Sequence, residues 1–284
     1  MGHDAGVNVS TGTFNTLIGG LCGEDLNIGS FNVAVGYGSL ASETSYGKNV
    51  AIGTFAMQDL APSTDAENVA IGYTALAEST TGKYNVAVGA RSMAVGLTTG
   101  DYNIAIGNYA GNLLESGERN VLIGANAGDA LTLGDYNTAV GHGALSAEDE
   151  NGYNTAIGYK ALNAQNAGAD AYNVAVGYNA GVSVVTGIRN TLVGGLCGDS
   201  IGGGAYNTAL GMFALSSETG GGNNTAIGYG ALEITNLNAT GNNTALGYIA
   251  GQLVQSTGNT LLGAFAGDAA MTGVDNTFVG LSSG

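Results

Sequence analysis

The chain has no tryptophan, one proline, two cysteines and only six lysines and arginines in 284 residues. Each shortage excludes a class. Two cysteines cannot staple a disulfide-rich scaffold, and a single proline without a Gly-X-Y period excludes a collagen helix. Six basic residues against 22 acidic ones leave a formal charge of −16. Such a surface repels polyphosphates and anionic lipids, so no nucleic acid and no membrane insertion are expected. No run of 18 apolar residues is present to cross a bilayer, and Met1-Gly2-His3-Asp4 lacks the basic and apolar regions of a signal peptide. What abounds is glycine, 51 residues, roughly two to three times the usual share. With 44% apolar residues the chain has enough apolar surface to fold. The architecture must therefore use glycine systematically.

That use is a repeat. Asn-Val-Ala-Val-Gly at Asn32 returns as Asn-Val-Ala-Ile-Gly at Asn68, Asn-Thr-Ala-Ile-Gly at Asn154 and Asn224, and Asn-Thr-Ala-Leu-Gly at Asn243. Sixteen copies run from Asn15 to Asn276, spaced 16 to 19 residues apart and most often 17. Counting from each Asn, the first residue is Thr, Val or Ile, the third Ile, Val or Leu, the fourth always Gly, and the seventh only Ala, Ser or Cys. The second is Ala except at Leu17, Leu122, Leu192, Leu261 and Phe278. β-Branched residues at the first and third positions predict a short strand, and the Gly after it a bend or a positive φ where a Cβ would clash.

A unit of this size cannot bury its own apolar face, so copies must stack, with equivalent residues in ladders about 4.8 Å apart. The expected fold is all-β: a parallel β-solenoid of the β-roll type, with about sixteen stacked repeats forming a rod roughly 80 Å long. Its structural ladder is the Asn and Gly columns, represented by Asn32 and Gly36, Asn68 and Gly72, Asn154 and Gly158, and Asn224 and Gly228. The repeat spacing leaves open whether one copy or two make a coil. Because Val-Ala-Ile is small or apolar on both faces, something must cover the outer one: a second layer of the same coil, or other chains, for which a row of alanines suits close packing about a common axis. The expected assembly is a homotrimer or filament, with the alanine row against other chains. The array is expected to fill 1–284 with no second domain. Met1 to Gly6 aligns with Val176 to Gly181, and the chain stops at Gly284 within a copy, so a piece of a longer fibre is expected.

Two finer patterns are present. The eighth position runs in pairs, Gly6 with Gly23, Leu40 with Met57, Gly111 with Gly128, Leu145 with Leu162, Gly181 with Gly198, and Leu215 with Leu232. Each 19-residue spacing follows the second member of a Leu or Met pair, and the only proline, Pro62, falls in one of these longer connections. The extra residues are expected in an outer loop, where insertions are tolerated.

Val33-Ala34-Val35-Gly36-Tyr37-Gly38-Ser39 and Val86-Ala87-Val88-Gly89-Ala90-Arg91-Ser92 resemble the head repeat of trimeric autotransporter adhesins. Asn224-Thr225-Ala226-Ile227-Gly228-Tyr229-Gly230-Ala231-Leu232 is similar to arrays in tail-fibre-like proteins of phages, large viruses and some bacteria. The resemblance implies a trimeric β-roll fibre for viral host attachment or cell-surface adhesion. It implies an extracellular location, on a virion or a cell surface, and a glycan or protein receptor on the host. The alternative is a secreted filament or functional-amyloid-like subunit, echoed by Gly100-Asp101-Tyr102-Asn103-Ile104-Ala105.

No residue is expected to be catalytic, to bind a cofactor or to hold a metal, and the chain is not expected to be an enzyme. Cys22 and Cys197 sit in Ala or Ser slots and read as small buried side chains. His3 and His142 share the fifth position with several tyrosines, eight copies apart, and cannot meet at one metal. Asp129, Asp135, Glu148, Asp149 and Glu150 lie in the variable connections and read as a solvated, mutually repelling face that binds calcium weakly at most. Tyrosines at the fifth position and before the Asn form rows suited either to stacking on sugars or to packing. The threonines from Thr191 to Thr277 suggest an ice-ordering ladder, but Val at the same position in earlier copies reads as a mostly interior column.

Overall fold

The computed structural model describes residues 2–217, 219–234 and 241–284. Two compact units, Met1–His142 and Gly143–Gly284, are built from the same coil. The first carries β1 (Thr16–Ile18), β2 (Val33–Val35), β3 (Val50–Ile52), β4 (Val69–Ile71), β5 (Val86–Val88), β6 (Ile104–Ile106), β7 (Val121–Ile123) and β8 (Thr138–Val140). The second carries β9 (Thr155–Ile157), β10 (Val174–Val176), β11 (Thr191–Val193), β12 (Thr208–Leu210), β13 (Thr225–Ile227), β14 (Thr244–Leu246), β15 (Thr260–Leu262) and β16 (Thr277–Val279).

Within each unit every strand pairs in parallel with the next, position for position: Thr16 with Val33, Leu17 with Ala34, Ile18 with Val35. Each neighbour is thus the next copy, and one copy makes one coil. The fold is a parallel β-solenoid.

Side chains of a strand alternate between faces, so the second position points one way and the first and third the other. The second points inward: Ala34, Ala51, Ala70, Ala87 and Leu122 are fully buried. This corrects the expectation that the alanine row meets other chains, because the coil's own turns already cover it. The outward rows are the first and third positions. Ile52, Ile71 and Ile106 are 37 to 38% exposed. Thr208, Thr244, Thr260 and Thr277 face solvent too, so the first-position column is not interior.

The core also explains the eighth-position pairs. A Cβ on Gly111 would press on Leu122 Cδ1 and one on Gly128 on Leu122 Cδ2; Gly181 and Gly198 stand in the same relation to Leu192. Wherever the eighth position is Leu or Met it fills the interior instead, as Leu40, Met57, Leu145 and Leu162 do, and the strand of that copy carries Ala. Of the second and eighth positions at most one in a copy is large, and where both are small, as Ala105 with Gly111, the strand leucine of the next copy lies against the glycine. The four-copy period is the rhythm of that choice.

Three positions in each coil are left-handed, and most are not glycine. Leu145 at the eighth position has φ 52°, Phe55 at the sixth 58°, and Tyr102, just before Asn103, 62°. This conformation costs an L-residue roughly 1–2 kcal/mol. Bonds between coils hold it: Leu145 N donates to Ala161 O, Phe55 N to Tyr37 O, and Tyr102 N to Lys83 O, at 2.9–3.0 Å. The longer connections leave the register unchanged, Val50 facing Val69 and Thr155 facing Val174. The third of them falls largely on 235–240, outside the described residues, as does Met1 in the alignment of the first copy.

Candidate functional site

The asparagine column is buried, Asn32, Asn68 and Asn154 fully and Asn224 to 2%. Each Oδ1 accepts the backbone N–H of the Asn one coil on: Asn49 N on Asn32, Asn85 N on Asn68, Asn173 N on Asn154 and Asn243 N on Asn224, at 2.8–3.1 Å. Each Nδ2 typically closes its own coil by donating to a carbonyl about 14 residues on, as Asn68 does to Gly82 O at 2.7 Å and Asn103 to Gly117 O at 2.8 Å. The asparagine column is therefore held mainly by amide-to-backbone bonds. Side-chain pairs such as Asn120 Nδ2 to Asn103 Oδ1, 3.1 Å, are an additional contact. Among the described residues Asn49 Nδ2 and Asn224 Nδ2, each in a copy that opens a 19-residue spacing, have no partner.

The fourth-position glycines have φ of 139° at Gly36, 141° at Gly72, 134° at Gly158 and 132° at Gly228. A Cβ on Gly158 would lie on the Gly177 carbonyl of the next coil. Conformation and close approach both require glycine there. Asn and Gly thus form an architectural column, with no nucleophile or base within it.

The aromatic rows stand at the surface. Tyr84 and Tyr102 stack at 4.8 Å and 11°, Tyr153 and Tyr172 at 4.9 Å and 14°, Tyr159 and Tyr178 at 5.4 Å and 9°. Arg119 lies over the rings of Tyr102 and Tyr136, 5.6 and 5.4 Å from their centroids. The ring faces are spent on one another, leaving mainly edges and hydroxyls outward. Sugar stacking needs a free face, so these rows read as packing between coils.

The carboxylates do not form one face. Asp65, Asp101, Asp135 and Asp170 each accept a backbone N–H from the preceding coil, at 2.7–3.1 Å. Glu148 is fully buried, which corrects its place on the solvated face; Glu150 is exposed. Glu43 is 1% exposed at the equivalent position. The signal was available: the eleventh position holds Leu26, Leu60, Leu114 and Leu131 in other copies, all fully buried. Among the described residues no three His, Cys, Asp or Glu side chains gather as a metal would require. His3 sits beside Asp4, Nδ1 to Oδ2 2.7 Å, at the surface. One shallow groove of about 260 Å³ brings together Asp59, Glu78 and Arg91, where Glu78 accepts the N–H of Gly96 at 3.3 Å.

Cys22 and Cys197 are unbridged and buried. Cys22 Sγ donates to Ala34 O at 3.0 Å, and burial pushes the Cys197 thiol up to about 12. Both thiols are enclosed, so neither cysteine should take up a maleimide in the folded chain at pH 8, while both should in denaturant. Replacing both by Ala should change stability by no more than about 1 kcal/mol. Prompt labelling of the native protein would contradict this packing.

Among the described residues no helix is long and apolar enough to cross a membrane. The chain matches no protein-family model, no curated protein and no solved structure.

Proposed function

We propose that this chain is a non-enzymatic structural segment of a fibre for viral host attachment or cell-surface adhesion, assembled as a homotrimer through its outward sheet face. The observation that carries the reading is the pair of outward columns on β2 to β7. There Val33 and Val35, Val50 and Ile52, Val69 and Ile71, Val86 and Val88, Ile104 and Ile106, and Val121 and Ile123 present only β-branched aliphatic groups. An uninterrupted aliphatic strip on a soluble chain marks an association surface. With a net charge of −16, copies repel one another except where a face carries no charge, and this strip is such a face. The repeat's likeness to adhesin heads and tail-fibre arrays supports attachment as the purpose of the fibre.

Sedimentation velocity of the purified chain at micromolar concentration tests the assembly. The expected result is a species of about three chain masses that dissociates when Val69→Asp and Ile71→Asp are introduced together. A monomeric parent would overturn the reading. So would an oligomer indifferent to that pair of changes, since it would be held by some other surface.

A further inference from the structure

Two carboxyls stand where the repeat otherwise buries leucine. Glu43 follows Asn32 by eleven residues and Glu148 follows Asn137 by eleven; they are 1% and 0% exposed. The same position holds Leu26 and Leu60 in the copies before and after that of Glu43, and Leu131 and Gln165 in the copies before and after that of Glu148, all buried. In each glutamate one oxygen is engaged. Glu43 Oε1 accepts the N–H groups of Ser45 and Tyr46 at 3.0 and 2.9 Å. Glu148 Oε1 accepts those of Asp149 and Asn151 at 3.2 Å and the Asn151 side-chain amide at 2.9 Å. The other oxygen, Oε2, is buried in both without a partner. An ionised carboxylate would leave that oxygen desolvated and uncompensated; a protonated one leaves a neutral hydroxyl.

We propose that Glu43 and Glu148 are proton-operated latches, each holding its outer connection, 43–48 or 148–153, against the coil while neutral and releasing it on ionisation. The charged groups around them favour the neutral form. Asp65 faces Glu43, though it is itself paired with Lys48 at 2.9 Å, and Asp149 adjoins Glu148. Burial is the largest influence and pushes both carboxyls above the ordinary 4.5; the N–H bonds oppose it only in part. A raised value means that the closed form holds its proton more tightly than the open form. Below 4.5 both forms are protonated and the latch is fully closed. Above it the open form ionises first, so opening grows with pH, by up to about tenfold per unit, until the closed carboxyl itself titrates.

Hydrogen exchange of the full chain, followed by mass spectrometry from about pH 4 to about pH 8 and corrected for intrinsic exchange, reads this opening directly. In the parent, amides of 43–48 and 148–153 should gain exchange with pH by up to about tenfold per unit. In Glu43→Gln with Glu148→Gln the rise should vanish, and Gln165 at the same position shows that the coil accepts a glutamine amide. The exposed Glu150→Gln should keep the parent profile. Identical profiles in parent and double variant would overturn the proposal. Carboxyl carbon NMR of the parent gives an independent reading: two glutamates must titrate above the ordinary range, and none doing so would also overturn it. Neither outcome depends on whether the chain self-associates.

Discussion

Gly158→Val is expected to prevent the second unit from folding. At φ 134° a β-branched residue has no favourable conformation, and its Cβ would lie on the Gly177 carbonyl. That carbonyl belongs to backbone fixed by the register of β9 on β10, so the collision cannot be relieved by turning a side chain. Strain and overlap together should cost about 4 kcal/mol or more, the range reserved for exceptional substitutions. Glu150→Gln in the exposed connection should stay within about 0.5 kcal/mol. Thermal melts of the two variants beside the parent decide it. Small, equal shifts would mean that the fourth-position glycine is not a required corner.

The second large effect concerns interior filling. Leu122→Ala empties the space that Gly111 and Gly128 leave open, and should cost about 2–5 kcal/mol. Gly128→Leu alone should also destabilise, by about 1–3 kcal/mol, because its Cβ meets Leu122 Cδ2 at 2.8 Å. Together they should recover at least about 1 kcal/mol relative to the sum, since the new side chain enters the vacated volume. The backbone is ready for it: Gly128 has φ 54°, and Leu76, at the same position of another copy in the first unit, has φ 51°. Strictly additive losses in denaturant unfolding would refute the alternate-filling account.

The same two features show what a single sequence reveals. The strand, the glycine after it and the parallel stack were legible because each position admits so few residue types. Which face of the strand is inside was not. Val-Ala-Ile is apolar throughout, so alternation carries no signal, and only the path of the turns shows that Ala51 is enclosed while Val50 and Ile52 face out. The leucines at the second position and the paired glycines at the eighth were both visible, but their link lies in the coil interior: Leu122 meets Gly128, later in its own copy, and Gly111, in the copy before. Glu148 was misplaced because its neighbours Asp149 and Glu150 suggested a charged loop, although the column of leucines at its own position carried the better information. The left-handed tyrosines and leucines leave no trace in composition, since bonds between coils rather than residue type impose them.

The central claim is that one repeat makes one coil, and it has a direct physical ruler. Lys48 and Tyr136 precede the asparagines that open β3 and β8, five copies apart within the first unit, and both are exposed. With Cys22 and Cys197 replaced by Ala, spin labels at Lys48→Cys and Tyr136→Cys, diluted into unlabelled chain, report the separation by dipolar spectroscopy. Five coils at the spacing of paired strands predict about 24 Å, and moving the first label to position 67, one copy closer, should shorten this by about 5 Å. A separation near half that value, or no regular shortening from one copy to the next, would contradict the account.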